Sequence, residues 1–246
     1  VGVNALNREV ALTLGTGVAW GVHTSSCKHS EYFRTMIGCL PDSYYLESVL
    51  ISGASTVSWF VDVFGSEEKA VAKLINSVPE SLLEKEINSI EPGCNGLITI
   101  PYWKGNMMPY NDSNARGITI GWSDYHTKAH FYRSILEGIG YEIKLVLEGC
   151  VENGITTNTM KLGSGGAESK LWNQIICNIT GKSIEISKTT ENTALGAAMI
   201  TAWGVKAYQS LEEASNKMYQ SSKNYLPDDV IQKKYSTIFN RAYRHI

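Results

Sequence analysis

Two short apolar runs open the chain. Residues 9 to 14 (EVALTL) and 17 to 22 (GVAWGV) are rich in β-favouring side chains and are separated by Gly15-Thr16, which predicts a hairpin with a glycine-bearing turn. After a polar, aromatic loop, VLISGASTVSWFVDVFG carries apolar residues at helical spacing, and EEKAVAKLINSV and ESLLEKEI follow as two further amphipathic helices. NGLITIPYW predicts a short buried strand ending at a proline. The Gly-, Pro- and Asn-rich stretch after it, PYWKGNMMPYNDSNARG, is long for a connection inside a compact domain, which points to function.

From Ser123 to about Glu152 the pattern predicts one long helix with Ser123 as N-cap and Phe131, Ile135, Ile139, Ile143, Val146 and Leu147 on one stripe. Gly138 and Gly140 weaken such a helix, so close packing against another element is the expected reason for them. Then come a strand (TTNTMKL), a glycine cluster, a helix (SKLWNQIICNIT), a strand (SIEIS), a helix (TALGAAMITAWG) and two terminal helices. Strands alternating with helices indicate an α/β layer architecture. No Pro/Ser-rich linker divides residues 1–246, which are expected to form a single domain.

The chain has 246 residues, 43% of them hydrophobic and 19% charged, ordinary for a globular protein with a substantial core. A formal net charge of -2, spread along the chain, provides no basic stripe for nucleic acid and no polybasic arm for a membrane surface. The expected partner is a small molecule or another protein. Cys27, Cys39, Cys94, Cys150 and Cys177 form no CxxC pair, which argues for reduced, buried thiols in a cytoplasmic setting. No apolar run approaches the ~20 residues that span a bilayer. The opening VGVNALNREV lacks an initiator methionine and enters a strand within a few residues, so the chain is expected to be part of something longer.

Gly163, Gly165 and Gly166, in LGSGGAES, demand a geometric reason, because glycines cost backbone entropy. A G-x-G-x-x-G fingerprint would need glycine at 168, which is Glu168, and the same test from Gly15 meets Trp20. Gly181-Lys182-Ser183 resembles the end of a P-loop, yet position 176 is Ile176 and Lys182 precedes a strand, so Lys182 is expected to be a solvated turn residue. His126 and His130 have the spacing of two zinc ligands, but Thr127, Lys128 and Ala129 lie between them with no glutamate, and helix packing or capping is preferred to metal binding. No serine sits in G-x-S-x-G. What remains is a pair of glycine turns, LGTG at 14 to 17 and GSGGA at 163 to 167, whose main-chain amides can approach phosphate oxygens.

An ordered set of segments resembles the C-terminal, nucleotide-binding domain of the FGGY carbohydrate kinases. The set comprises LTLGTG (12 to 17), SGASTVSWFVD (52 to 62), the stretch from ITIPYWKGN to EGIGYEI (98 to 143), GSGGAESKLWNQIICNITGKSIEI (163 to 186) and ENTALGAAMITAWGVKAY (191 to 208). The resemblance implies an actin-like ATPase (ribonuclease H-like) α/β domain, a mixed central sheet flanked by helices. It implies ATP or ADP as ligand, Mg2+ with it, and a sugar or polyol substrate bound through an N-terminal domain; relatives often pair, which leaves a homodimer open. Gly15, Thr16 and Gly17 would approach the terminal phosphates, Gly53 and Ser58 would add contacts on the same side, and Gly165, Gly166 and Ala167 would cradle the adenosine with Lys170 beside them. The run from Glu191 to Ala198 would pack behind the nucleotide, as core or as site. Two departures stand out: Gly105-Asn106-Met107-Met108 replaces the usual G-E-R before Pro109, and the family's catalytic aspartate would fall upstream of Val1, so no catalytic residue is assigned here, Asp62 and Asp124 matching no motif. A non-kinase actin-like nucleotide module, and an interaction domain that has lost nucleotide binding, are the alternatives.

Overall fold

In the computed structural model of the chain, which describes residues 1–7, 9–163 and 165–246, the expected hairpin forms between β1 (Val10–Leu14) and β2 (Val18–Thr24). Val10, Leu12 and Leu14 alternate into the core, as a period of two requires. The other edge of β1 pairs in parallel with β7 (Thr159–Leu162), Leu12 opposite Leu162. Outward from β2 lie β4 (Tyr44–Leu50) and β3 (Arg34–Ile37); outward from β7 lie β8 (Ser183–Ser187), parallel to it, and β9 (Ser221–Tyr225), antiparallel. Among the described residues the sheet is therefore mixed and seven-stranded, in the order β3-β4-β2-β1-β7-β8-β9. A separate ribbon pairs β5 (Ile98–Ile100) with β6 (Ile118–Ile120).

Three of these strands correct the sequence expectation. The segment taken as a polar loop holds β3 and β4, and the C-terminal tail, taken as purely helical, holds β9. β9 is SSKNY, and β3 is a four-residue edge with Arg34 paired to Glu47 on β4. Both exist because a neighbouring strand supplies their hydrogen bonds, and polar side chains suit an exposed edge.

The helices are α1 (Ala54–Phe64), α2 (Ser66–Leu74), α3 (Pro79–Ile87), α4 (Lys128–Glu152), α5 (Lys170–Thr180), α6 (Asn192–Gly204), α7 (Leu211–Met218) and α8 (Asp229–Arg241). α4 begins at Lys128, not after Ser123. The Ser123 amide donates to His126 Nδ1 at 2.9 Å, closing a separate turn, and Thr127 caps α4 in a box with His130, whose Nδ1 accepts from the Thr127 amide at 3.2 Å. The two histidines thus act locally as caps. Among the described residues no helix is long and apolar enough to cross a membrane.

From Tyr132 to Leu147 α4 is buried on every side, packed by α1, α3, α5 and β5, with Tyr235 and Phe239 of α8 reaching it through their side chains. The apolar stripe is there, but polar residues are buried with it. A Cβ on Gly138 would lie 2.2 Å from Thr99 O and one on Gly140 2.7 Å from Ile179 Cδ1, so both glycines are close-packing sites as expected. Arg133 bonds Glu137 at 2.7 Å, the Ile87 carbonyl at 2.9 Å and the Tyr235 hydroxyl at 3.1 Å, and Tyr235 returns a bond to Glu137 at 2.8 Å. Further along, Glu142 accepts from Tyr102 at 3.0 Å and Tyr243 at 2.7 Å. Burial raises the Glu142 carboxyl to about 7, against the pull of those two hydrogen bonds.

Two smaller expectations also change. Cys94, Cys150 and Cys177 are buried free thiols, but Cys27 and Cys39 are exposed. Lys182 is half-buried and donates to the Thr157 carbonyl, and burial lowers its pKa.

Removing the Arg133 guanidinium leaves Glu137 buried without its partner. Arg133→Met is expected to destabilise the fold by about 3–5 kcal/mol, read from urea unfolding. Glu142 gives a pH effect of opposite sign to that of a paired surface carboxylate. Between the ordinary value near 4.5 and the folded value of about 7, the native state holds a proton that the unfolded chain has lost. Stability therefore falls as pH rises through that window and levels off above it, by an amount on the order of 3 kcal/mol. Glu142→Gln should flatten this slope in unfolding curves recorded between pH 4.5 and 7.5.

Candidate functional site

Because β1 and β7 run parallel and in register, the segments leaving their C-terminal ends emerge side by side. One is the hairpin turn Gly15 to Gly17; the other carries Gly163 into a 3-10 turn (Gly165–Glu168) that opens α5. Ser164, the remaining member of this cluster, lies outside the described residues. The two bends touch: a Cβ on Gly166 would lie 2.6 Å from Leu14 Cβ and from Leu14 O. The absence of a side chain at Gly166 is therefore required by the chain's own packing.

On its other flank the hairpin meets the start of α1. Gly53 N donates to Thr16 O at 3.0 Å, Ala54 N to Gly15 O at 2.9 Å and Ser55 N to Thr16 O at 3.2 Å, while Thr56 N bonds Gly53 O at 3.0 Å. The hairpin carbonyls thus take the place of a side-chain cap, which α1 lacks. This approach needs glycine at 53, where a Cβ would stand 2.6 Å from Gly17 C and Val18 N. Gly15 differs. The nearest atom to an added Cβ there is Gly17 O at 3.5 Å, so folding does not demand glycine at this position. Thr16 is exposed at the tip.

Two adjoining hollows lie against these turns and share Ala54 and Ser58 of α1. The first, about 410 Å³, has apolar walls from Val57, Tyr132, Leu136 and Trp172, with Gly166 and Ser169 at its edge. The Trp172 indole is oriented by a 3.3 Å bond from Nε1 to Leu136 O, and its amide bonds the N-capping Ser169 hydroxyl at 3.0 Å. Glu84 of α3 also lines this hollow, and burial pushes its carboxyl above the usual range. The second hollow, about 400 Å³, is polar: Thr16, Ser55, Asp62 and Lys104 surround it. Asp62 is paired with Lys69 at 2.6 Å, and Ser55 Oγ is buried with no hydrogen-bond partner among the described residues.

Of the sequence candidates, Thr16, Ser58 and Gly166 line this cleft; Gly15, Gly17 and Gly53 belong to the turn and helix start beside it, and Gly165 and Ala167 sit in the 3-10 turn without lining it. Lys170 is not part of its walls; it is exposed on the first turn of α5. In the run from Glu191 to Ala198 only Asn192 and Gly196 are buried: Asn192 fills the space where a Gly163 Cβ would be, 2.0 Å from its Nδ2, and Gly196 meets Gly2, while Glu191, Thr193, Ala194, Ala197 and Ala198 are exposed. Sequence reasoning missed Ser55, Tyr132, Trp172 and Lys104. Trp172 had a signal, lying three residues after the Ser169 cap on the face that α5 turns inward; Lys104 and Tyr132 had none.

A mixed sheet with a glycine hairpin at one strand end, a second glycine turn beside it and helices on both faces is the actin-like ATPase fold. The model of the FGGY family of carbohydrate kinases, C-terminal domain, matches residues 10–205, and the chain belongs to this family. It is 30% identical over 205 residues to the xylulose kinase of Bacillus subtilis (strain 168), covering 83% of this chain and 39% of that protein. Among solved structures it is similar to the ligand-bound xylulose kinase of Lactobacillus acidophilus, with a TM-score of 0.87 at 22% identity over 99% of this chain and 48% of the other. It is also similar to the Plasmodium falciparum glycerol kinase with ADP, with a TM-score of 0.80 at 24% identity and the same coverage, 99% and 48%. The chain spans less than half the length of each.

The glycine contacts separate two kinds of substitution. Gly166→Val is expected to destabilise the fold by about 1–3 kcal/mol through collision with Leu14. Gly15→Ala should leave the melting temperature unchanged, and thermal unfolding of the two variants side by side checks both.

Proposed function

We propose that this chain is the nucleotide-binding half of an ATP-dependent carbohydrate kinase, a single domain over residues 1–246 that works with a sugar-binding domain. The observation that carries the reading is the meeting of two glycine turns, far apart in sequence, on one cleft with an apolar end and a polar end. The volumes and chemistry suit a nucleoside polyphosphate. The adenosine would lie in the hollow of Val57, Tyr132 and Trp172, beside Gly166 and Ala167, and the phosphates would extend past Ser58 and Ser55 toward Gly15, Thr16 and Gly17. The exposed Thr16 and Ser58 side chains, and the room beside Gly15, where an added Cβ would meet nothing closer than 3.5 Å, fit that occupant.

Bound ATP supplies the transferable phosphoryl group, with Mg2+ arriving on its polyphosphate. The chain's own residues orient the nucleotide and keep water from its apolar end, which is most of what phosphoryl transfer asks of a protein. The acceptor hydroxyl belongs to a sugar or polyol of the xylulose or glycerol kind named for the relatives. The group that takes its proton would come from the sugar-binding domain, with closure of the two domains assembling the site. Such metabolic chemistry fits a cytoplasmic protein, and a homodimer is compatible with the reading without being required by it.

Calorimetric titration of the folded chain with Mg-ADP tests the proposal directly. Saturable binding is expected, weakened at least about fivefold by Gly15→Ala at unchanged stability. No heat at millimolar ADP from a chain shown to be folded would favour an interaction domain instead. Phosphoryl transfer to xylulose, gluconate and glycerol by the product of the complete reading frame tests the enzyme class.

A further inference from the structure

We infer that Lys104 grips the nucleotide's polyphosphate beyond the first phosphate, an inference that rests on the reading of the cleft given above. Lys104 is the only cation between Pro101 and Ala115, in the loop that lacks the charged residues usual before Pro109. Its backbone is fixed to the polar end of the cleft. The Lys104 amide donates at 2.8 Å to the hydroxyl of Ser52, a fully buried residue that immediately precedes Gly53 and whose carbonyl accepts from Thr56 Oγ1 at 2.9 Å.

The rest of the loop holds that placement. Trp103 packs on Trp59 of α1 with ring centroids 5.2 Å apart, and Asn106 braces the turn through its amide to Asp112 O at 2.8 Å and its Oδ1 to the Tyr110 amide at 3.2 Å. The side chain of Lys104 then lines the same hollow as Thr16, Ser55 and Ser58. Among the described residues its ammonium has no ion-pair partner, since Asp62, the acid of that hollow, is held by Lys69. A cation without a counter-charge lines one polar space with the exposed side chains of Thr16 and Ser58, which calls for an anion rich in oxygens. The neighbouring hollow shares Ala54 and Ser58 with this one and offers Val57, Tyr132 and Trp172, so an apolar group attached to the anion can lie there.

A series of nucleotides tests this on the 246-residue chain. Lys104→Met is expected to weaken ADP and ATP roughly threefold to tenfold in calorimetric titrations and to leave AMP within about twofold. Lys104→Arg should keep most of the affinity, and the wild-type advantage should shrink as salt is raised, because this charge is solvent-exposed. Both variants should melt like wild type. ADP and ATP affinities within about twofold of wild type in Lys104→Met would overturn the inference while leaving the nucleotide reading intact. Equal losses for AMP and ATP would also overturn it, since they would place the lysine away from the outer phosphates. A wild-type chain that binds none of the three nucleotides removes the nucleotide reading, and this inference with it.

Discussion

The parallel pairing of β1 with β7 is the constraint on which the cleft depends. A parallel pair sends both chains out of the sheet at the same edge, so residues about 150 positions apart become neighbours without any loop having to reach. Leu14 and Gly166 then settle against one another, and this contact sets how deep the 3-10 turn can sit. An antiparallel pair at that place would have separated the bends by the length of the strands. The hairpin itself has two duties, closing β1 onto β2 and capping α1, and glycines at 17, 53 and 166 make room for the crowding.

Behind this edge α4 carries the mechanical load. It supplies Tyr132 and Leu136 to the apolar hollow, and within three turns it supplies Arg133, Glu137 and Glu142 to buried polar networks with α3, α8 and the C-terminal segment. Full burial of these charges is costly, and each is met by hydrogen bonds whose partners come from distant parts of the chain. Buried polar networks of this sort leave little freedom of register. The wall of the cleft is thereby tied to the last helix.

Much of this was legible in the residues themselves. The β1–β2 hairpin, α5 and β8 declare themselves through period and turn chemistry, and the two glycine turns could be paired before any geometry was known. The strands β3 and β9 could not, because their stability comes from neighbours and not from an apolar pattern, whereas β4, YYLESVL, does alternate inward at Leu46, Ser48 and Leu50 and was overlooked. The start of α4 was misplaced because two cap-competent residues, Ser123 and Thr127, stand four apart and both have a histidine three positions on; packing selected the second. Of the cleft, the glycine turns, Thr16 and Ser58 were named from the residues, and the remaining side chains were not. Tyr132, Trp172, Glu84 and Lys104 reach it from four separate elements, and only tertiary structure brings them together.

The capping of α1 by hairpin carbonyls has a consequence for how charge is recognised. A helix start often serves as a ready anion receptor through its free amides. Here the amides of Gly53, Ala54, Ser55 and Thr56 are already committed within the protein, so the positive pole of α1 is sealed. On the reading proposed above, attraction for negative charge at this edge would fall to hydroxyls and an ammonium, groups that single substitutions can retune while the backbone beneath them stays as it is.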